Sequence, residues 1–233
     1  MSTGRSHRIL PFALLAAWFA AGPTPSAWAG GGSLRLLDLA GRRVDPLAEV
    51  TAKATVFLFV RADCPISNRY APKVHRLVEK FASRGVVFKL VYVDPTEPSR
   101  EIRQHLRQYG YHMTALRDNE HALVKMTGAK VTPEVAVFVR GPSGASPSLP
   151  RPPETSPDSV GAGPSGGGRR DETLGTVRMV YRGRIDDQYM DFGKTRPAPT
   201  THDLEDILQA IVQGKTVAAQ TTRAVGCFIQ DLQ

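Results

Sequence analysis

Cys64, one of two cysteines in this chain of 233 residues, has the surroundings of a reactive thiol. It lies between an apolar run, residues 56–60, and Pro65, which suits a first helical position because it has no amide hydrogen to leave unpaired. At such a strand-to-helix junction, free backbone amides and the helix dipole favour a thiolate, and the charges of Arg61 and Arg69 would add to this. A thiolate attacks disulfides, so the position predicts a redox role. The alternative is a buried, inert thiol, because free cysteine is among the most buried residue types.

The second cysteine, Cys227, follows Gly226 in a C-terminal segment that the sequence predicts to be a flexible tail. Two interpretations remain open. As a resolving cysteine, it would attack a mixed disulfide or a sulfenic acid on Cys64. As a structural cysteine, it would tie the tail to the body of the protein through a disulfide with Cys64.

A metal site formed by Cys64, Cys227 and one histidine is the third possibility for these thiols. Some copper chaperones use the spacing C-x-x-x-C, but Asn68 occupies the second cysteine position of that motif here. The histidines show no paired spacing on one helix face, and the chain has neither a Cys-x-x-Cys-His haem motif nor a phosphate-binding glycine loop. We therefore expect no metal and no cofactor.

The N-terminus has the pattern of a secretory signal peptide. Arg5 and Arg8 precede an apolar run, residues 9–21, and Ala27-Trp28-Ala29 is a small-x-small site suited to signal peptidase. Residues 1–29 are therefore predicted to be cleaved, and the protein to be periplasmic or extracellular, where disulfides form. An uncleaved anchor is the alternative, although the run is shorter than the roughly 20 apolar residues that span a bilayer.

The formal net charge of +8 does not by itself indicate a nucleic-acid-binding protein. Its basic residues are scattered, without dense runs or interleaved aromatic residues. We expect no nucleic-acid partner and no stable membrane insertion after signal cleavage.

The order of elements predicts an α/β fold with a central mixed β-sheet flanked by helices. Three continuous apolar runs predict strands buried on both faces of the sheet; they are residues 56–60, 86–93 and 134–139. Helical periodicity follows the first two runs, in residues 65–84 and from Ser99 onward. Residues 173–181 alternate as expected for an antiparallel partner of the third run.

We predict one domain, residues 33–214, followed by a tail, residues 215–233, that carries Cys227. An insertion rich in Gly, Pro and Ser, residues 141–170, interrupts the C-terminal hairpin. With no apolar run to bury, it is predicted to be disordered and tolerated without a function of its own.

These motifs resemble the thioredoxin-like superfamily and, within it, the exported redoxin or alkyl-hydroperoxide-reductase-like (AhpC/TSA-type) proteins of bacteria. Cys64-Pro65-Ile66-Ser67 stands where that family has Cys-x-x-Cys after a buried strand. Pro72 follows Cys64 by eight residues, where thioredoxins kink their first helix. Thr132-Pro133, just before a strand, is similar to the cis-proline loop of the family. The resemblance implies a cis bond there, and it implies that Thr132 and Pro133 bind the extended backbone of a disulfide substrate.

The chain also departs from the family pattern at three positions. Ser67 replaces the second cysteine, so a dithiol cycle within one helical turn is unavailable. Arg61 stands where peroxiredoxins place a threonine, which argues against efficient peroxide reduction. Leu58 occupies the place of the buried acid that helps proton transfer in thioredoxins.

Three functions follow from the residues and the resemblance together. The first is an exported thiol-disulfide oxidoreductase in which Cys64 attacks protein or small-molecule disulfides and Cys227 resolves the product. The second is a peroxiredoxin-like peroxidase, an antioxidant enzyme in which peroxide oxidises Cys64 first. The third is a redox-inactive binding module in which Cys64 and Cys227 form a structural disulfide.

Overall fold

The computed structural model describes Met1 and residues 34–49, 51–140 and 177–230. Residues 2–29 of the predicted signal peptide and the whole predicted insertion, residues 141–170, therefore lie outside the described residues. Among the described residues, no helix has the length and apolar character needed to cross a membrane.

The described strands and helices follow the predicted alternation. The strands are β1 (Leu36–Asp38), β2 (Arg43–Val44), β3 (Ala54–Val60), β4 (Val86–Tyr92), β5 (Thr114–Arg117), β6 (Val131–Thr132), β7 (Glu134–Arg140), β8 (Val177–Gly183), β9 (Tyr189–Asp191), β10 (Lys194–Thr195), β11 (Gln220–Thr221) and β12 (Cys227–Phe228). The helices are α1 (Pro65–Arg69), α2 (Ala71–Phe81), α3 (Ser99–Gln108), α4 (Ala122–Thr127) and α5 (Asp203–Val212), with a 3₁₀ turn at Ala82–Arg84.

Eight strands form one mixed sheet in the order β11-β8-β7-β3-β4-β5-β1-β2. The central strand β3 is parallel to β4 and antiparallel to β7, which in turn is antiparallel to β8. The predicted central mixed sheet and the predicted antiparallel hairpin partner are thereby confirmed.

The continuous apolar run of β3 is explained by burial on both faces of the sheet. Val56, Leu58 and Val60 belong to one core cluster, whereas Phe57 and Phe59 belong to the other. Helices α2, α3 and α5 contribute buried side chains to the first cluster, and α4 contributes to the second. A strand covered on both sides has no polar face, so its sequence does not alternate.

The predicted kink at Pro72 takes the form of a break between two helices. Helix α1 ends at Arg69, and α2 begins at Ala71, after Tyr70. Proline has no amide hydrogen for the helical ladder, and its ring crowds the preceding turn. Pro72 lies in the first turn of α2, where neither property disrupts a hydrogen bond of the helix.

The C-terminal segment, which we expected to be a flexible tail, contains two short strands. Strand β11 joins the edge of the main sheet beside β8, and β12 pairs with β6 in a separate two-stranded ladder. Between these two strands the chain passes from the edge of the sheet to the loop that precedes β7. This path brings Cys227 to the end of β3 where Cys64 lies.

Candidate active site

Cys64 occupies the N-cap position of α1, directly after β3, as the sequence predicted. Its amide donates to the carbonyl of Arg61 at 3.2 Å, and its carbonyl accepts from the amide of Asn68 at 3.1 Å. The side chain is only 1% exposed. A nucleophile at this position is therefore shielded from solvent by the groups packed around it.

A chain of buried and half-buried polar groups fixes the loop that leads into Cys64. Glu97 Oε1 accepts from the amide of Ala62 at 3.0 Å, and Asn68 Nδ2 donates to the carbonyl of Ala62 at 2.9 Å. Asn68 Oδ1 then accepts from Nε2 of His105 at 2.7 Å, which leaves Nδ1 of His105 to accept from the hydroxyl of Tyr92 at 2.8 Å. Burial lowers the pKa of His105, in keeping with this neutral tautomer.

Cys227 reaches the same point through backbone pairing. In the antiparallel ladder of β12 and β6, Cys227 lies opposite Thr132, and Phe228 lies opposite Val131. The preceding residue, Gly226, packs so closely on the Thr132-Pro133 peptide that an added Cβ atom would overlap the carbonyl of Thr132. Only a residue without a side chain allows this approach, so Gly226 sets the position of Cys227.

The two sulfur atoms lie 2.8 Å apart, and both cysteines are free thiols in the structure. Cys64 Sγ is also 3.0 Å from the carbonyl oxygen of Thr132, to which the protonated thiol donates. A disulfide has a sulfur–sulfur bond of about 2.05 Å, so a small movement of either side chain would join the two residues.

The surroundings give the two thiols different pKa values. Burial acts to raise the pKa of Cys64, but hydrogen bonds from Cys227, Ser67 and Thr132 outweigh it, and the net pKa is lowered. Burial and the neighbouring Cys64 sulfur raise the pKa of Cys227 to about 12. The pair therefore ionises first at Cys64, and Cys227 remains a thiol that donates to the Cys64 thiolate.

Two hydroxyl groups have the position to stabilise this thiolate. The side-chain oxygens of Ser67 and Thr132 are both buried, and neither has a hydrogen-bond partner within the described part of the chain, so both can donate to a Cys64 thiolate. Hydrogen bonds from both side chains lower the pKa of Cys64. Ser67 therefore replaces the second cysteine of the motif with a hydroxyl group that can donate a hydrogen bond to Cys64.

The arginine charges lower the pKa of Cys64 less than the sequence suggested. Arg61 pairs with Asp63 at 2.9 Å and with Asp94 at 3.3 Å, and its charge acts to lower the pKa of Cys227. The largest influences that lower the pKa of Cys64 are hydrogen bonds, not arginine charges.

The Thr132-Pro133 bond is cis, as predicted, and Thr132 lies against Cys64. The backbone edge that we expected to bind a substrate is occupied, because Thr132 pairs with Cys227 of the same chain. Sequence reasoning did not anticipate this internal occupant.

One further buried group was missed at this site. Glu97 is 8% exposed, and burial raises the pKa of its carboxyl to about 7. Glu97 lies in a Thr-Glu-Pro turn after β4, and the sequence gives no sign that an acidic residue in such a turn is buried.

Leu58, at the place of the thioredoxin acid, is apolar and buried. Within the described ranges, no group of three or more His, Cys, Asp or Glu is arranged to hold a metal.

The chain is similar to one known protein family, that of AhpC/TSA. Residues 33–145, just under half of the chain, match the model of the AhpC/TSA family. This match confirms the resemblance stated from the sequence and supports a redox function in general terms. No curated protein sequence matches the chain.

Solved structures with a similar fold come from several organisms. A hypothetical protein from Sinorhizobium meliloti 1021 aligns with a TM-score of 0.60 and 19% identity, covering 85% of this chain and 91% of that one. An uncharacterized conserved protein from Geobacillus kaustophilus gives a TM-score of 0.59 and 20% identity, with coverage of 85% and 89%. A secreted Mycobacterium tuberculosis disulfide oxidoreductase homologous to Escherichia coli DsbE gives 0.43 and 15%, with coverage of 78% and 96%.

Proposed function

We propose that the protein is a thiol-disulfide oxidoreductase that cycles between the Cys64 and Cys227 dithiol and a disulfide joining them. The observation that carries this proposal is the 2.8 Å separation of two sulfurs that lie 163 residues apart in sequence. Thiols this close, with one ionising well before the other, have the arrangement needed for exchange. Cys227 thereby replaces the cysteine that Ser67 removes from the motif.

The favoured direction is oxidation of partner thiols. A dithiol whose thiolate is stabilised has a stabilised reduced form, which makes the corresponding disulfide a stronger oxidant. Hydrogen bonds at Cys64 provide this stabilisation. One turn of the cycle converts two partner thiols into one partner disulfide and converts the Cys64–Cys227 disulfide into two thiols.

The substrates are thiols and disulfides of proteins or small molecules, and the reaction takes place after export. The predicted signal peptide supports this location, since oxidants of thiols operate where disulfides persist. An acceptor of the disulfide class, such as oxidised glutathione, restores the oxidised protein.

The test compares the purified wild type with Cys64→Ser and Cys227→Ser. Each protein is treated with oxidised glutathione, quenched with acid and mapped by peptide mass spectrometry; the oxidised form is then mixed with a reduced dithiol peptide. We expect the wild type to form the Cys64–Cys227 disulfide and to oxidise the peptide. We expect both variants to lose this activity at least 100-fold, since neither can form the intramolecular bond.

Two other outcomes would favour the alternatives. A disulfide that forms but does not exchange with the peptide would indicate a structural bond in a redox-inactive binding module. Rapid oxidation by hydrogen peroxide, with glutathione disulfide inert, would indicate a peroxiredoxin-like peroxidase. Failure of the wild type to form the intramolecular disulfide with either oxidant would overturn the oxidoreductase proposal.

A further inference from the structure

We propose that the external thiol opens the Cys64–Cys227 disulfide by attacking Sγ of Cys227, with Cys64 as the leaving group. This inference rests on the proposed function and assigns the two sulfurs their roles within it. It reverses the order expected from the sequence, in which Cys64 carries the mixed disulfide with the partner.

Access to the two sulfurs differs. Cys64 is 1% exposed and is enclosed by Cys227, the carbonyl of Thr132 and the buried side chain of Ser67. Cys227 is only partly buried, on a two-residue strand at the outside of the site. An incoming thiol therefore meets the sulfur of Cys227 first.

The backbone around the site points to the same sulfur. A partner strand that paired with Thr132 would lie beside Cys64, but Cys227 already holds that register position. Gly226 and Ile229 close the two ends of this contact, Gly226 against the Thr132-Pro133 peptide and Ile229 through its amide, which donates to the carbonyl of Lys130 at 3.0 Å. Direct attack on Cys64 would require β12 to leave β6, whereas attack on Cys227 requires no such movement.

The chemistry of the leaving group agrees with the geometry. In thiol-disulfide exchange, the sulfur with the lower thiol pKa leaves faster. The hydrogen bonds that lower the pKa of Cys64 stabilise the anion that is expelled. Expulsion of Cys227 would place the charge on a thiol whose pKa is raised to about 12.

Exchange through Cys227 takes place in two steps. The partner thiolate forms a bond to Sγ of Cys227, the Cys64–Cys227 bond breaks, and its electron pair remains on Cys64 as a thiolate. A second partner thiolate then attacks the partner sulfur bound to Cys227, and a partner disulfide is released. Cys227 leaves with the electron pair and takes up a proton, which completes the two-electron reduction of the protein.

Reduced glutathione is the probe for the first step. The wild-type protein is oxidised to the intramolecular disulfide, mixed with excess glutathione, quenched with acid at the earliest times and mapped by mass spectrometry. We expect at least tenfold more glutathione on Cys227 than on Cys64. A ratio near or below one in the wild type would overturn the inference.

A second variant tests whether β12 selects the sulfur. Gly226→Ala places a Cβ atom against the Thr132 carbonyl and should lift β12 from β6, so the ratio of Cys227 to Cys64 adducts should fall toward one. Gly214→Ala is the control: nothing lies within 4 Å of its added Cβ atom, and its left-handed φ of +75° is a strain that Gly226→Ala does not have. An unchanged ratio in Gly226→Ala would also overturn the inference.

These outcomes are distinct from a failure of the proposed function. Oxidised protein that exchanges with glutathione but carries the adduct on Cys64 retains the proposed function and overturns only the assignment of the sulfurs. Oxidised protein that does not exchange at all overturns both.

Discussion

Cys64 is held from inside the fold, whereas Cys227 is held by a short strand added to its outside. The loop before Cys64 is bound by the side chains of buried Glu97 and half-buried Asn68, and β3 continues into it from the centre of the sheet. Cys227 depends on a ladder of two residue pairs and on the contacts of its neighbours Gly226 and Ile229. The site thus combines one cysteine whose surroundings are fixed with one whose position is easily changed.

Because of this difference, substitutions on the two sides should change different measured properties. Changes around Cys227 should alter how readily the disulfide forms, because they change the effective concentration of one thiol near the other. Changes around Cys64 should alter global stability and the pKa of the thiol, because that region is part of the core.

The largest effect is expected from Ile229→Ala, which breaks the Cys227 side. Ile229 is 6% exposed and packs in the core cluster of Leu36 and Phe57. Truncating a buried isoleucine costs about 2–5 kcal/mol, and here the loss falls on the docking of β12. The equilibrium constant for the Cys64–Cys227 disulfide, measured against glutathione redox buffers, should fall about thirtyfold or more.

The matched control for this prediction is Val217→Ala. Val217 is buried in the same C-terminal segment, but it lies before β11 and packs in the other core cluster. It should lower the free energy of unfolding while leaving the disulfide equilibrium within about twofold, since β12 stays docked. Equal losses in the two variants would contradict the idea that β12 alone positions Cys227.

On the Cys64 side, the largest effect is expected from Glu97→Gln, measured as stability against pH. Burial raises the carboxyl pKa from 4.5 to about 7, so the stabilising contribution of Glu97 is complete below pH 4.5 and is lost as the pH rises through 7. Glutamine keeps an acceptor for the amide of Ala62 but does not ionise. Between pH 5 and 7 the variant should gain about 2 kcal/mol relative to the wild type in chemical denaturation.

Glu101→Gln, an exposed change nearby in α3, is the control and should follow the wild-type pH profile. Parallel profiles for Glu97→Gln and the wild type would show that Glu97 ionises in the folded protein without cost. In neither variant should the disulfide equilibrium change by as much as in Ile229→Ala.

A third prediction concerns the hydrogen-bonded chain beneath the loop. Asn68→Ala removes the donor to the carbonyl of Ala62 and leaves the Nε2 hydrogen of buried His105 without its acceptor. A buried polar group that loses its partner costs about 1–3 kcal/mol, so thermal or urea unfolding should show a loss of about 1–2 kcal/mol. Gln108→Ala, on the exposed side of α3, should change stability by less than about 0.5 kcal/mol; similar losses in both would contradict the role of the network.

The sequence predicted the Cys64 side well because its determinants are local. The run ending at Val60, Cys64 itself and Pro65 are contiguous, and a buried strand followed by a helix start is recognisable from composition and spacing. The cis bond at Thr132-Pro133 was predicted only through family resemblance, since no local property of the two residues requires it.

The Cys227 side could not be predicted in the same way. A strand of two residues has no periodicity, and its partner lies about 95 positions earlier in the chain. Gly226 was visible as a glycine, but glycine in a C-terminal segment also fits a flexible tail. The close contact with Thr132 that requires glycine exists only in the folded protein, as does the burial of Glu97.

The smallest effect, and the one that links the two sides, is expected from Ser67→Ala. Ser67 is 2% exposed, its hydroxyl has no hydrogen-bond partner within the described residues, and donation from it to Cys64 acts to lower the pKa of that thiol. Without this donor the pKa of Cys64 should move upward, because burial then opposes ionisation with one hydrogen bond fewer. In the reduced protein, alkylation of Cys64 by iodoacetamide near pH 6 should slow by about threefold to tenfold, as the thiolate fraction falls.

The sign of the Ser67→Ala effect on redox chemistry follows from the same hydrogen bond. A less stable Cys64 thiolate makes the reduced form less favourable, so the disulfide equilibrium should move toward the oxidised form, opposite to the change in Ile229→Ala. Ser83→Ala, an exposed serine in the 3₁₀ turn after α2, is the matched control and should change neither quantity. If Ser67→Ala left the alkylation rate unchanged but shifted the disulfide equilibrium as Ile229→Ala does, Ser67 would act by positioning β12. The stabilised Cys64 thiolate would then depend on Cys227 and Thr132 alone.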